Sequence, residues 1–345
     1  MKKYIPLDKD DSRLFLKKQV SQDNSVKIIN YYNQKESYYS IERNLLFPDS
    51  DVPFSLFVKT DFDYNLMLEA SENSPAKITT EILNATGDIS IKTSDLPLYN
   101  EYIKSLDKTL NTSNLDHQIK AGLIKEKTKI VVKNILASPK SGENIKKASL
   151  AVEQMIRSIL SNNNVLHDLI SVKDHDYYTY VHCVNVTILC IGLGIAVNLT
   201  QEEIFNLGLG ALLHDIGKVA IPSKIINKTG RLTSSEYKIM QNHVIEGVKI
   251  LEEKPSFPKD SLSTVAQHHE RLSGKGYPFH LSGAKITKYG KIIAITDSYD
   301  ALTTERPTKQ ALIPFEALSI IVNECEHYDS EYLASFIKML GRLEE

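Results

Sequence analysis

The hydrophobic pattern of this chain changes period near residue 105, and that change bounds the fold more tightly than any other feature. Before it, apolar residues alternate: Phe54, Leu56 and Val58, then Leu66 with Leu68, then Ile89 with Ile91. Period-two spacing belongs to short strands with one buried face. Asp49, Asp51 and Pro53, and later Ser71 to Pro75, carry turn chemistry between these runs. Residues 1–105 are therefore expected to form a small α+β domain, regulatory in character, ahead of a different kind of structure.

After residue 110 the period becomes helical. Ile145, Ala148, Val152, Met155, Ile156 and Ile159 recur at three- and four-residue steps and make one apolar face. Ser138-Pro139-Lys140-Ser141-Gly142 divides this helix from an earlier one over Ile119 to Leu136, and Ser161-Asn162-Asn163-Asn164 breaks the chain again. Residues 106–165 read as coupling helices. They suit signal transfer, a homodimer interface or plain packing equally well. Beyond 165 nearly everything reads as helix, so 166–345 is expected to be an all-α bundle and the whole a multidomain α+β chain. Thr233-Ser234-Ser235-Glu236 has the spacing of a capping box and should start a helix carrying His243.

Bulk properties exclude several classes. A net charge of −2 provides no basic field for a nucleic-acid polymer or an anionic membrane. The most apolar window, Val184 to Leu199, is too short to span a bilayer and has Asn185 and Asn198 at its edges, so it reads as a buried core helix. The first residues, Met1-Lys2-Lys3-Tyr4-Ile5-Pro6, lack the apolar core of a signal peptide. Cys183, Cys190 and Cys325 form no C-x-x-C pair, and their odd number argues against a disulfide framework. The expectation is a cytoplasmic protein without membrane insertion.

Nine of the ten histidines lie after residue 160. His214-Asp215, in Leu212-Leu213-His214-Asp215-Ile216-Gly217-Lys218, reads as a pair embedded in an apolar helix, costly to bury unless something satisfies it. A metal ion does so. His182, His243, His268, His269 and Asp297 also lie in or beside apolar segments. Any one histidine alone is more often a hydrogen-bonded core residue than a ligand, and Asp297 alone more often a cap. Seven such positions in one helical region weigh against that plain reading. His167, His175, His280 and His327 are taken as surface or supporting residues.

Imidazole and carboxylate without thiolate exclude a zinc ribbon or an iron–sulfur cluster and suit Mn, Fe, Zn, Ni or Co. Seven ligands are too many for one ion with an open position and about right for two, with Asp215 as the natural bridge. Two ions ~3.5–4 Å apart can activate water and clamp a phosphate, the usual machinery of phosphoester hydrolysis. Lys218, three residues after Asp215 and four after His214, would project from the same helical face and stabilise phosphate charge. An exposed lysine at a helix end is the plainer alternative, and Gly217 and Pro222 do mark an end nearby.

These stretches resemble the HD-GYP subgroup of the HD phosphohydrolase superfamily. The resemblance runs through Tyr178-Thr179-x-x-His182, His214-Asp215-Ile216-Gly217-Lys218, Ile221-Pro222, Asn227-Lys228-x-Gly230-x-Leu232-Thr233, and His243 with Gly247. It continues through His268-His269-Glu270-Arg271, Gly274-x-Gly276-Tyr277-Pro278 and Asp297-x-Tyr299-Asp300-Ala301-Leu302-Thr303-x-x-Arg306-Pro307, over roughly residues 170–320. It implies an all-helical metal-dependent phosphodiesterase that opens cyclic di-GMP to the linear dinucleotide, in some members onward to GMP. By position it implies one metal, Fe or Mn foremost, on His182, His214, Asp215 and Asp297, and a second on Asp215, His243, His268 and His269. Lys218 and Arg306 would contact phosphate. The Gly-Tyr-Pro loop would border the substrate cleft or meet partners such as GGDEF-type diguanylate cyclases.

The residues themselves agree in chemistry. Arg306 offers a fork for phosphate oxygens and Lys309 adds charge. Gly274 and Gly276 free a loop, Pro278 stiffens its end, and Tyr277 supplies a ring able to stack on a base. Gly-Tyr-Pro by itself is an ordinary turn. Members often carry Trp at Leu272, Asp at Ser273 and Tyr-Arg at Thr308-Lys309; these departures bear on substrate affinity and loop behaviour rather than on metal binding. Some hold a third metal through a Glu where this chain has Tyr178, so two metals are expected here. The rival readings are a hydrolase of another nucleotide and a catalytically weak module that binds cyclic dinucleotides or acts through the Gly-Tyr-Pro loop. A nuclease fits poorly, for want of a basic stripe.

Overall fold

The computed structural model describes residues 4–6, 15–20, 26–29, 38–60, 63–110, 116–139, 141–161, 163–171, 179–228, 230–304 and 310–341. Its strands all precede residue 93. β1 (Tyr4–Pro6), β2 (Phe15–Val20) and β3 (Val26–Ile29) form an antiparallel sheet in that order. β4 (Tyr38–Ser40), β6 (Leu56–Lys59), β7 (Tyr64–Leu68) and β9 (Ile89–Lys92) form a second sheet, ordered β4-β9-β6-β7, and β5 (Asp51–Val52) pairs with β8 (Ala76–Lys77).

Position in the sheet decides what the alternation means. The inner strands β6 and β9 bury three consecutive residues each, Leu56 to Val58 and Ile89 to Ile91. The edge strand β7 forms, but its burial does not alternate and Leu66 is 52% exposed, so there the period-two pattern marks strand without marking core. Asp51, expected in a turn, lies in β5. The turn at 71–74 forms where expected.

The remainder is mostly helical: α1 (Thr80–Asn84), α2 (Leu96–Leu110), α3 (His117–Ala137), α4 (Gly142–Ser161), α5 (Asn163–Ser171), α6 (Thr179–Ala196), α7 (Gln201–Leu212), α8 (Ser223–Ile226), α9 (Ser234–Glu252), α10 (Lys259–Gln267), α11 (Lys288–Thr303), α12 (Pro314–Asn323) and α13 (Ser330–Gly341). α2 runs through residue 105. Of the Asn-rich run, Ser161 ends α4 and Asn163 and Asn164 already belong to α5. The apolar face expected on α4 is its buried face, packed on α3 and α7.

α6 organises the bundle. It is long and apolar enough to cross a membrane, yet 78% of it is buried inside the molecule, against α3, α7, α11 and α13. It contributes to both hydrophobic cores, one continuous from Tyr39 to Val265 and the other built with α7, α11, α12 and α13. Each Ile or Leu so buried stabilises the fold by about 1.5–3 kcal/mol. The capping box at Thr233 is present, with Glu236 N donating to Thr233 Oγ1 (3.3 Å) and Thr233 N to Glu236 Oε2 (2.7 Å). A second, Thr200 with Glu203, starts α7 and has the same Thr-x-x-Glu signature.

Candidate metal centre

α7 stops at Leu212, one residue short of its C-cap Leu213, so His214 and Asp215 occupy the turn that follows and not an apolar helix as expected. A 3-10 helix, Ile216–Ala220, comes next. Gly217 lets this segment press onto α9: a Cβ there would lie 1.9 Å from the His243 carbonyl oxygen. In a 3-10 helix residues three apart eclipse. Lys218 therefore reaches Asp215, Nζ to Oδ2 at 2.5 Å. The shared face was expected from an α-helix; 3-10 geometry supplies it.

Five histidines converge on this turn. His182 comes from the first turn of α6, His243 from α9, and His268 and His269 from the C-terminal end of α10; all but His269 are fully buried. In three of them Nδ1 lies 2.7 Å from a carbonyl oxygen three residues back: His214 with Ala211, His243 with Met240, His268 with Val265. A carbonyl only accepts, so Nδ1 carries the proton and donates. His182 Nδ1 donates to Asp300 Oδ2 at 2.6 Å. With the Nδ1–H of these four committed, their Nε2 lone pairs are turned inward.

Those lone pairs meet one another. His182 and His214 bring Nε2 atoms to 3.3 Å, and His243 and His268 to 3.1 Å. Neither member of such a pair has a proton to share, so a cation is the natural partner for both. Asp215 lies between the pairs. Its Oδ2 is 3.4 Å from His214 Nε2 and 3.7 Å from His182 Nε2, while Oδ1 is 3.4 Å from His243 Nε2. Asp297, from α11, places Oδ1 3.1 Å from His182 Nε2 and Oδ2 3.6 Å from His269 Nδ1. Two ligand groups result, His182 with His214 and Asp215, and His243 with His268 and His269. The residues present fit divalent metal ions.

Protonation suits that role. Burial raises the Asp215 carboxyl, but the Lys218 charge and the imidazoles of His214 and His243 outweigh it and hold it well below the carboxylate range. Asp297 is raised by burial, yet the adjoining His182 and His269 imidazoles hold it well below its ordinary value. Burial, reinforced by the neighbouring imidazoles, lowers His268 strongly; burial takes His269 down to about 3 against the pull of Asp297. Anionic carboxylates and neutral imidazoles are the forms that ligate metal. Burial pushes the Cys183 thiol far up and that of Cys190 to about 12, so neither offers a thiolate.

The Gly-Tyr-Pro loop closes one side. A Cβ on Gly276 would lie 2.5 Å from Glu270 Cα, from Arg271 N and from the His269 carbonyl oxygen, so glycine is required for this approach. Tyr277 N donates to the same oxygen (3.1 Å). Its ring, expected to be able to stack on a base, lies against the His269 imidazole with centroids 4.5 Å apart. Ser273 Oγ bonds His327 Nδ1 at 2.8 Å, so the Leu272-Ser273 departure ties the loop to the turn at Cys325–His327.

The seven expected ligands, Lys218, Gly276 and Tyr277 thus share one site. Arg306 and Lys309 lie outside the described residues, as do Tyr178 and Thr308. Two supporting residues were not assigned from sequence. Asp300 orients His182 from one turn beyond Asp297, and the buried Glu270 carboxylate accepts from Phe279 N (2.7 Å) and Leu281 N (2.9 Å), pinning the loop beside His269. Both stood inside the quoted motifs, where a buried carboxylate next to a ligand is the signal.

Residues 154–332, more than half of the chain, match the family model of the HD domain. The chain belongs to the HD-domain family, as its resemblance to the HD-GYP subgroup implied. Within it, the similarity runs to phosphodiesterases of cyclic dinucleotides. A cyclic di-GMP phosphodiesterase of Pseudomonas aeruginosa is 33% identical over 230 residues, covering 66% of this chain and 56% of that protein. A 3'3'-cGAMP-specific phosphodiesterase of Vibrio cholerae is 34% identical, covering 51% of this chain and 41% of its own length. The chain thus spans about half the length of these relatives. An HDG"Y"P protein from Bdellovibrio bacteriovorus has the same fold, with a TM-score of 0.67 at 21% identity over 88% of this chain and 100% of that one. HD-domain phosphohydrolases use divalent metals.

Proposed function

We propose that this chain hydrolyses the 3'-5' phosphodiester bonds of cyclic di-GMP, giving the linear dinucleotide and/or GMP, in cytoplasmic second-messenger signalling. The observation that carries the reading is Asp215, whose two oxygens face two different groups of inward-turned imidazoles. His182, His214, Asp215 and Asp297 would hold one divalent ion and Asp215, His243, His268 and His269 the other, Fe or Mn foremost, with Zn, Ni or Co also compatible. When bound, such a pair supplies Lewis-acid polarisation of phosphoryl oxygens and acidifies water.

The chain's own groups do the rest. The carbonyls of Ala211, Met240 and Val265 and the Asp300 carboxylate hold the imidazoles in one tautomer and orientation. Lys218 keeps a fixed positive charge beside Asp215 and stabilises negative charge developing on the phosphate. Tyr277 and Gly276 wall the site beside His269, and Arg306 and Lys309 supply further phosphate contacts. Residues 1–105 act as the regulatory domain and 106–165 as its coupling helices to the phosphohydrolase domain, 166–345. GGDEF-type cyclases at the Gly-Tyr-Pro loop, and a homodimer, are the partners this reading accommodates.

The cGAMP-specific relatives support a second reading, in which 3'3'-cGAMP is the preferred substrate. One preparation decides between them: metal analysis, then turnover of cyclic di-GMP and 3'3'-cGAMP with Mn or Fe(II). Two ions per chain with faster hydrolysis of cyclic di-GMP is the expected result. Tight binding without turnover in the fully loaded chain would instead indicate a binding module.

A further inference from the structure

A second buried ionic cluster lies where the strand region meets the helices. Glu42, Lys125, Glu126 and Lys129 are buried together with Tyr39 and Tyr99. Tyr39, from β4, donates its hydroxyl to Glu126 Oε1 at 2.7 Å. Lys129 Nζ lies 2.9 Å from Glu126 Oε2 and 3.6 Å from Glu42 Oε1. Lys133 Nζ sits 4.5 Å from the Tyr39 ring centre and 5.7 Å from that of Tyr180. The Tyr39 and Tyr180 rings lie near-parallel, 5.7 Å apart.

Burying charges in this way is a poor route to stability, because apolar residues of the same volume do as well or better. Such a cluster does fix how two parts dock. Here it docks the strand region against the first turn of α6, and Tyr180 is two residues before His182 in that turn. At 3.6 residues per turn the two side chains leave the helix on nearly opposite sides. The turn is therefore gripped twice: Tyr39 holds Tyr180 from the strand region, and Asp300 holds His182 from α11. α3, which carries Glu126 and Lys129, packs on α6 and on the 3-10 helix Ile216–Ala220 that carries Lys218. His243, His268 and His269 sit on α9 and at the end of α10, away from this grip.

We propose that Tyr180 and Tyr39, fixed by the Glu42–Lys129–Glu126 cluster, are positioning residues for His182, so that the strand region sets the geometry of one half of the metal centre. This rests on the metal-centre reading above and does not depend on which cyclic dinucleotide is cleaved. It makes the coupling between the two regions asymmetric: a disturbance at the seam reaches the His182 half first.

The test is a Mn(II) titration of the full chain after metal removal, with the affinity of each site and the spin-coupled EPR signal of the pair as readouts. The wild-type chain should take up two ions. Tyr180→Leu should weaken the ion on the His182 side by about tenfold or more, the range seen when a ligand loses its orienting partner, and leave the His243 side unchanged; Tyr180→Phe should restore both. Tyr180→Leu with both affinities at the wild-type value overturns the proposal, and so does an equal loss at both sites, which would mean a merely structural role. Should Tyr180→Leu fail to fold, the shape-conserving pair Tyr39→Phe with Glu126→Gln decides by the same criterion. A wild-type chain that binds two ions but cleaves no cyclic dinucleotide defeats the substrate reading alone. One that binds fewer than two defeats the metal-centre reading and this proposal with it.

Discussion

The molecule buries two ionic clusters, and they are built on opposite principles. At the seam, Lys129 lies between Glu126 and Glu42 and Tyr39 donates to Glu126, so the groups answer one another. At the candidate metal centre, four imidazoles spend their N–H groups outward, on three carbonyls and Asp300, and turn lone pairs toward lone pairs. The first arrangement pairs opposite charges across the seam between the strand region and α3. The second stays open to a cation. Loss of a residue should therefore cost stability first at the seam, with metal affinity following on the His182 side, and chemistry directly at the centre.

The largest effect tests the centre. Asp215→Ala removes a carboxylate whose two oxygens face the two ligand sets, so metal content and turnover should fall together, with kcat/KM down at least about a thousandfold, roughly 4 kcal/mol of barrier. Metal analysis beside a hydrolysis assay checks it; full turnover would end the two-ion arrangement. The counterpart at the seam is Glu126→Ala, which leaves Lys129 buried without its nearest carboxylate. Breaking a buried pair in this way costs about 3–5 kcal/mol, read as a lower denaturation midpoint in urea. A midpoint close to wild type would show that the seam stays solvated.

Lys218→Ala separates charge from ligation within the centre. Metal should be retained while kcat falls by about a hundredfold, the scale for losing one stabiliser of transition-state charge. Unchanged kcat would remove Lys218 from the chemistry. Asp300→Ala should act through His182, weakening metal binding by about 10- to 100-fold, as measured by competition with a chelator. Unaltered affinity would mean that the packing of α6 alone orients the ring.

How far each cluster was legible in sequence follows from how it is made. The seven ligand positions stood out because each is polar within an apolar segment, which is a local signal. Gly217 and Pro222 marked a helix end nearby, but the apolar run through Leu212, Leu213 and Ile216 hid that it falls before His214 and Asp215. No local pattern tells that the Tyr277 ring meets His269. Nothing along α3 marks Lys125, Glu126 and Lys129 as buried; their burial comes from the strand region laid across the helix. Leu66 failed in the opposite sense, since alternation cannot reveal that β7 is an edge.

The smallest effect at neutral pH is the acid dependence of the metal-free chain, and it also separates the clusters. His269, at about 3, and His268, strongly lowered, bind fewer protons folded than unfolded. Their contribution to stability is complete above the unfolded value of about 6.5 and is lost as the pH falls toward about 3. Asp215 and Asp297, lowered in the folded chain, add a loss of the same sign below about pH 4. Melting temperature should thus decline from pH 7 to pH 4. His269→Ala should flatten that slope, whereas Tyr39→Phe at the seam should lower the whole curve without changing its shape. A slope unaffected by His269→Ala would place the acid sensitivity outside the histidine cluster.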